Sequence, residues 1–171
     1  MVIITVLLRK LKRYRDPIGY WKKLGAEIGD KCVINSNADL GSEPYLVKIG
    51  NHVRISHGVR FFTHDGSVWV LRNLNAEDED IDLFGKISIG NNVHIAPGVN
   101  ILPGVTVGNN RIIGINSTVT KDVPDNSVVA GFPARSIETV DAYRQKHAAE
   151  FHHTYKFSKK EKKEYLRRIF P

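Results

Sequence analysis

The chain has 171 residues, a length suited to one domain that buries its core without disulfides. Its single cysteine, Cys32, excludes an intramolecular disulfide and suits a reducing compartment. The formal net charge of +7 favours anionic partners, but charge alone does not choose among a phosphorylated cofactor, nucleic acid and acidic lipid.

Met1–Arg15 reads MVIITVLLRKLKRYR, an apolar run too short to span a bilayer, with its basic residues after the run instead of before it as in a signal peptide. A cytoplasmic protein is expected. The segment either packs on the domain as a terminal helix or strand, or rests on anionic lipid as an amphipathic helix, so peripheral membrane contact through the N-terminus stays open. A second helix-like piece covers Asp16–Leu24, and residues 1–27 together read as an N-terminal helical segment.

From Ile28 a six-residue period takes over. Marks fall at Ile28, Ile34 and Leu40, pause at Ser42-Glu43-Pro44-Tyr45, and resume at Ile49, Ile55 and Phe61. Cys32 takes the small inward slot four residues after Ile28, which predicts a buried structural thiol. The period then fails until Ile87, and the intervening stretch mixes aromatics, acids and one histidine. A long segment interrupting a strict repeat reads as an insertion, here about 63–86, and such loops carry function. Ile89, Ile95, Ile101, Val107, Ile113 and Val119 then recur every six residues. At ~100° per residue such marks would scatter over three faces of an α-helix. Short strands joined by corners keep every mark inward, and the glycines and Asn-Asn pairs between marks tolerate left-handed backbone. The repeat therefore predicts an all-β chain with terminal helices, its 28–135 core a parallel β-helix in which each turn buries its face on the next.

Beyond Val123 the repeat frays into VVAGFPAR, and Gly131 and Pro133 stop the pattern. The 136–171 extension has helix formers and no glycine, which predicts one or two C-terminal helices capping the open end of the coil. The basic Lys159–Arg168 cluster reads as a solvated helix face, without the aromatic-interleaved basic motif of an RNA-binding module, and no nucleic-acid partner is expected.

The hexads together with VTKDVPDNSVVAGFPAR (Val119–Arg135) resemble the hexapeptide-repeat acyltransferases over roughly Ile28–Ile137. Within that family GSEPYLVKIG, FFTHDGSVW and LPGVTVG are most similar to acetyltransferases of capsular and exopolysaccharide synthesis. The resemblance implies a left-handed parallel β-helix with three hexads per coil, assembled as a homotrimer. It also implies active sites between adjacent subunits, acetyl-coenzyme A lying along the coil, no required metal, and transfer of an acetyl group to a sugar hydroxyl.

Such chemistry needs few residues. A base must take the hydroxyl proton during attack on the thioester and return it to the departing thiolate, a task suited to neutral imidazole, while donors stabilise the oxyanion. The resemblance assigns the base to His64. It places Asn35 and Glu43 toward the acceptor, Glu43 standing where sugar acetyltransferases carry Asp. Asn35 has a left-handed corner as its alternative role, and Asp65 either joins the acceptor site or is loop surface. Cosubstrate contacts carry over to Ile115, Thr120, Lys121 and Arg135, the two cations meeting coenzyme A phosphates. Pro97 also falls on a contact position but has no N–H to donate. Arg111 departs from the pattern by putting a charge in a slot for small residues. Either the coil opens so that Arg111 reaches a partner or coenzyme A, or the side chain crosses the trimer interface.

Two rivals remain at this level. His52 and His57 have the spacing of two zinc ligands in γ-class carbonic anhydrases, but no histidine precedes them to supply the upstream third, and His94 reads as a surface residue. A non-catalytic β-helix scaffold would leave the long THDG loop unexplained.

Overall fold

The computed structural model describes residues 11–171. The expectation of membrane contact rests largely on residues 1–10, which lie outside the described residues. Among the described residues no helix is long and apolar enough to cross a membrane. Residues 11–15 are helical and lead to α1 (Pro17–Lys23), opened by Pro17 and capped by Asp16, whose carboxylate accepts the Gly19 N–H at 2.9 Å. Trp21 of α1 is buried in the core, and the Arg13 guanidinium lies 5.0 Å from its ring centroid while Nε donates to the Ser36 carbonyl at 2.9 Å. This cluster packs α1 onto the first strands.

Short strands follow: β1 (Glu27–Ile28), β2 (Val33–Ile34), β3 (Val47–Ile49), β4 (Val53–Ile55), β5 (Arg60–Phe61), β6 (Ile87–Ile89) and β7 (Val93–Ile95). After them come β8 (Asn100–Ile101), β9 (Thr106–Val107), β10 (Arg111–Ile113), β11 (Thr118–Val119), β12 (Ser127–Gly131) and β13 (Ala134–Thr139). Sheet A has the order β1-β3-β6-β9, sheet B β13-β12-β10-β7-β4-β2, and sheet C β11-β8-β5. Every pairing between strands is parallel except β12 with β13. The chain visits A, B and C in rotation, and a bridge from Asp39 to Arg60 completes the first circuit. Ile28, Ile49, Ile89 and Val107 align on A and Ile34, Ile55, Ile95 and Ile113 on B, so the marks of the six-residue period are the buried residues.

At the corner between A and B, Lys31, His52, Asn92, Asn110 and Asn126 adopt φ of 54 to 62°. Asn is enriched there because its short polar side chain tolerates this region. Beside them runs an amide ladder. Asn51 N–H donates to Asn91 Oδ1 at 2.8 Å, Asn91 N–H to Asn109 Oδ1 at 2.8 Å, and Asn109 N–H to Asp125 Oδ1 at 2.7 Å. Each side chain thus satisfies a backbone donor of the preceding circuit. Cys32 is half-buried instead of buried, with Sγ 3.1 Å from the Gly50 carbonyl.

Two departures from the period position the site. Ile89 and Val107 are 18 positions apart, the length of three hexads, whereas Ile28 pairs with Ile49, 21 positions on, and Ile49 with Ile89, 40 positions on. The first two circuits therefore carry three and 22 extra residues, both at the corner from C to A. The larger insertion leaves and returns through a neck: Asp65 N–H donates to Leu83 O at 2.8 Å and Gly85 N–H to Thr63 O at 2.9 Å. It carries α2 (Val68–Leu74), with Trp69 and Leu74 exposed.

Arg111 lies inward on β10 beside Val93, fully buried. Its Nη1 donates to Ser127 Oγ at 2.6 Å and Nη2 to Val123 O at 3.2 Å, with Asp125 Oδ1 3.7 Å away. Of the alternatives open for Arg111, the chain supplies the partners itself. Ser127, 16 positions on, is small enough to receive the guanidinium. Ser136 does not begin a helix: β12 and β13 form a hairpin about Gly131–Pro133, and the strand runs to Thr139 because Ser136, Glu138 and Thr139 pair with β12. Helices α3 (Val140–Lys146) and α4 (Lys159–Ile169) then follow, with α3 packed on β12 and β13.

Candidate active site

Glu43 and His64 sit in the two insertions and meet because these insertions stack at one corner. Glu43 Oε2 lies 3.0 Å from His64 Nδ1 and accepts the Thr63 hydroxyl at 2.5 Å. An ionised carboxylate only accepts, so Nδ1 carries the proton and Nε2 keeps its lone pair. Burial raises the pKa of Glu43, but the hydrogen bonds from Thr63 and His64, with the charge of His64, outweigh it and hold the carboxyl below the usual glutamate range. The imidazole stays half-exposed and meets Phe84 edge-on at 6.2 Å between centroids, across the loop neck. A recess of about 300 Å³ opens here, lined by Asp39, Gly41, Ser42, Arg60–Thr63 and His64. A polarised imidazole at the mouth of a recess can accept a proton from a bound hydroxyl.

The other expected site residues fall on two edges. Phe62 N–H donates to Ile101 O and Leu102 N–H to Val119 O, which puts Thr120 in the row of Phe62. Thr120 and Lys121, both exposed, therefore lie on the His64 edge, two strand spacings or ~10 Å along it. Asn35 and Ile115 lie on the corner from B to C instead. Asn35 is exposed, and its Oδ1 accepts the Asn37 N–H at 3.1 Å, as a corner Asn does. Ile115 is exposed next to Asn116, whose N–H donates to Pro97 O at 2.9 Å. Arg135 pairs with Ala130 at the same corner and donates to Ala134 O at 3.0 Å. Asp65 accepts the Ser67 N–H at 2.9 Å, a bond that lowers its pKa and spends one carboxylate oxygen on shaping the loop.

The three other histidines of the coil lie away from this recess. His52 Nδ1 pairs with Asn92 Oδ1 at 2.8 Å in the corner column, and His57 lies at the opposite end of β4. His94 is half-buried on the outer face of sheet B, where desolvation and then the charge of Arg54 lower its pKa. Among the described residues no three His, Cys, Asp or Glu side chains stand close enough to hold a metal.

No family model matches the chain. Protein CapG of Staphylococcus aureus is 48% identical over 147 residues, which are 85% of this chain and 84% of that protein. A galactoside O-acetyltransferase of Escherichia coli K12 is 39% identical over 120 residues, 70% of this chain and 56% of that protein. A hexapeptide-repeat-containing acetyltransferase from Vibrio cholerae, solved with acetyl coenzyme A, superposes with a TM-score of 0.62 at 25% identity, covering 77% of this chain and 82% of that one. The chain belongs to the hexapeptide-repeat acetyltransferase family. A galactoside acetyltransferase of the same family, solved in complex with coenzyme A, superposes with a TM-score of 0.59 at 25% identity over 83% of this chain and 82% of that one. The chain spans just over half the length of the Escherichia coli relative, so that protein's whole activity is not transferred by the match alone.

One residue beside this recess escaped sequence reasoning. Thr63 is 1% exposed, and its hydroxyl is tied to both the backbone N–H and the carboxylate of Glu43. The signal was its place in the first break of the period after Phe61, directly before His64.

Proposed function

We propose that this chain transfers an acetyl group from acetyl-coenzyme A to a hydroxyl of a sugar, with His64 as general base, in the cytoplasmic synthesis of a polysaccharide. The observation that carries the reading is the contact of His64 Nδ1 with Glu43 Oε2, which fixes the tautomer with Nε2 free to act. The rotation of the chain through three sheets in 18-residue steps supports a left-handed parallel β-helix. The galactoside O-acetyltransferase relative supports a sugar as acceptor.

Acetyl-coenzyme A supplies the acyl carbon and a thiolate leaving group. The residues present fit such a long anionic cosubstrate, because exposed Thr120 and Lys121 continue the His64 edge toward later circuits. His64 Nε2 takes the acceptor hydroxyl proton as the oxygen bonds to the acyl carbon. The imidazolium, stabilised by the Glu43 carboxylate, returns that proton to sulfur as the carbon–sulfur bond breaks, leaving an ester and the free thiol. Asn35, Ile115 and Arg135 lie on the other edge, which supports a homotrimer whose sites pair the His64 edge of one subunit with the second edge of its neighbour.

The test is thiol release from acetyl-coenzyme A in the presence of an array of sugars, with mass detection of the ester. Acceptor-dependent release by the wild type that His64→Ala abolishes is the expected result. Release in the mutant at the wild-type rate would overturn the reading.

A further inference from the structure

The Thr63 hydroxyl stands where it can set the orientation of the base without touching either substrate. Its Oγ1 accepts the backbone N–H of Glu43 at 3.3 Å, so its own proton points elsewhere, and the acceptor it meets is Glu43 Oε2 at 2.5 Å. That same oxygen is the one 3.0 Å from His64 Nδ1. A carboxylate tied at one oxygen by a rigid donor cannot turn about its terminal torsion, which is otherwise broad and roughly two-fold. Thr63 is itself immobilised: it is buried, and Gly41, at φ +84°, approaches so closely that an added Cβ would lie 2.6 Å from Oγ1.

Resting on the acetyl-transfer reading above, we propose that Thr63 is a positioning residue, holding Glu43 so that its Oε2 fixes the His64 tautomer and ring angle, and that Gly41 provides the space for this hydroxyl. Buried partners that orient a histidine through its second nitrogen have this effect elsewhere in protein chemistry. Asp65, Asp39 and Arg60 are the other charged groups around the recess and the imidazole. Removing the Thr63 donor takes away the largest of the interactions that oppose the burial of Glu43, leaving those of His64 and of the backbone.

The experiment is a double-mutant cycle on the full-length protein with acetyl-coenzyme A and its best sugar acceptor. Thr63→Val and Thr63→Ala should each lower kcat about 10-fold or more, with donor KM within about two-fold of wild type. Thr63→Ser should recover most of the rate. In a Glu43→Gln background, Thr63→Val should cost less than about two-fold more, because the hydroxyl acts through the carboxylate. Equal losses in both backgrounds, or a Thr63→Val kcat within two-fold of wild type, would overturn the proposal while leaving His64 catalysis intact. Nitrogen NMR of wild-type His64 separates the two ideas: a protonated Nδ1 is expected, and a protonated Nε2 in the neutral ring would overturn the orientation by Glu43 itself.

Discussion

Glu43 and His64, 21 positions apart, meet at 3.0 Å because the first two circuits both break their period at the same corner. A general base typically contributes ~10²–10⁴-fold, so under the proposed mechanism His64→Ala should lower kcat by that order while assembly and donor KM persist. Glu43→Gln can still accept one hydrogen bond but loses the charge that stabilises the imidazolium, and a smaller loss in kcat is expected. Steady-state kinetics with gel filtration of each variant checks both. A Glu43→Gln enzyme with unchanged kcat would show that the carboxylate does not assist the base.

Lys121 and Arg135 are both exposed, on different edges. Charge-assisted bonds to phosphate affect ground-state binding and transition state alike, so Lys121→Ala and Arg135→Ala should each raise the donor KM about three- to ten-fold and leave kcat nearly intact. Initial rates against acetyl-coenzyme A concentration decide this, and a loss confined to kcat would contradict it.

Arg111 is a matter of stability, not catalysis. Its guanidinium satisfies Ser127 Oγ and the Val123 carbonyl inside the core, while its Nε has no partner among the described residues. Arg111→Ala would open a cavity and strip both acceptors, a cost of about 2–4 kcal/mol. Arg111→Met keeps most of the volume and removes the charge whose burial is unfavourable, so it should melt closer to the wild type. Thermal denaturation should rank wild type and Met above Ala, with kcat unchanged in each folded variant. A large kcat loss in Arg111→Met would link this residue to the site after all.

Much of this architecture was legible because a six-residue period admits few structures. Ile89, Ile95 and Ile101 mark three sheets in turn, and the loop bounds followed from where Phe61 and Ile87 bracket the failure. The two breaks were legible too, each falling after the third mark of a circuit. The role of Glu43 toward His64 was not, since a carboxylate facing a sugar and one facing an imidazole leave the same trace in sequence. Thr63 left only its place at the break before His64, where a threonine is too ordinary to stand out. The helix expected from Ser136 became β13 because the edge of β12 offered backbone partners, a tertiary gain that local propensity does not record. Arg111 stood out as a misfit, but its partners lie up to 16 positions on in a shortened circuit and depend on side-chain reach.

Asp125 ends the amide ladder where earlier circuits carry Asn, and its carboxylate faces Arg111. Hydrogen bonds from the Asn109 backbone and side chain lower its pKa against desolvation, and the Arg111 charge adds the least in the same direction. A folded-state pKa below the unfolded one means stability that is complete above the ordinary Asp range and is lost as pH falls through the folded value. Asp125→Asn keeps an acceptor for the Asn109 N–H but removes the charge. The mutant should therefore melt below the wild type at neutral pH, with the gap closing as pH drops below ~4. Melting curves from neutral to acid pH test this, and a gap that widened on acidification would refute the sign.

His64 and Asn35 lie on different edges of one chain, so in the proposed homotrimer a site needing both draws them from different subunits. His64→Ala and Asn35→Ala homotrimers should each be nearly inactive. When the two are denatured together and refolded in equal amounts, some interfaces join an intact His64 from one parent to an intact Asn35 from the other. Random assembly makes that about a quarter of all sites, so the mixture should recover about a quarter of the wild-type kcat although neither parent is active. If each chain housed its whole site, mixing would restore nothing, because every subunit would carry one lesion. The recovery should also require refolding together, since subunits already locked in trimers do not exchange edges. A mixture no more active than its parents, with trimers confirmed by sedimentation, would place Asn35 outside the site or the site within one chain.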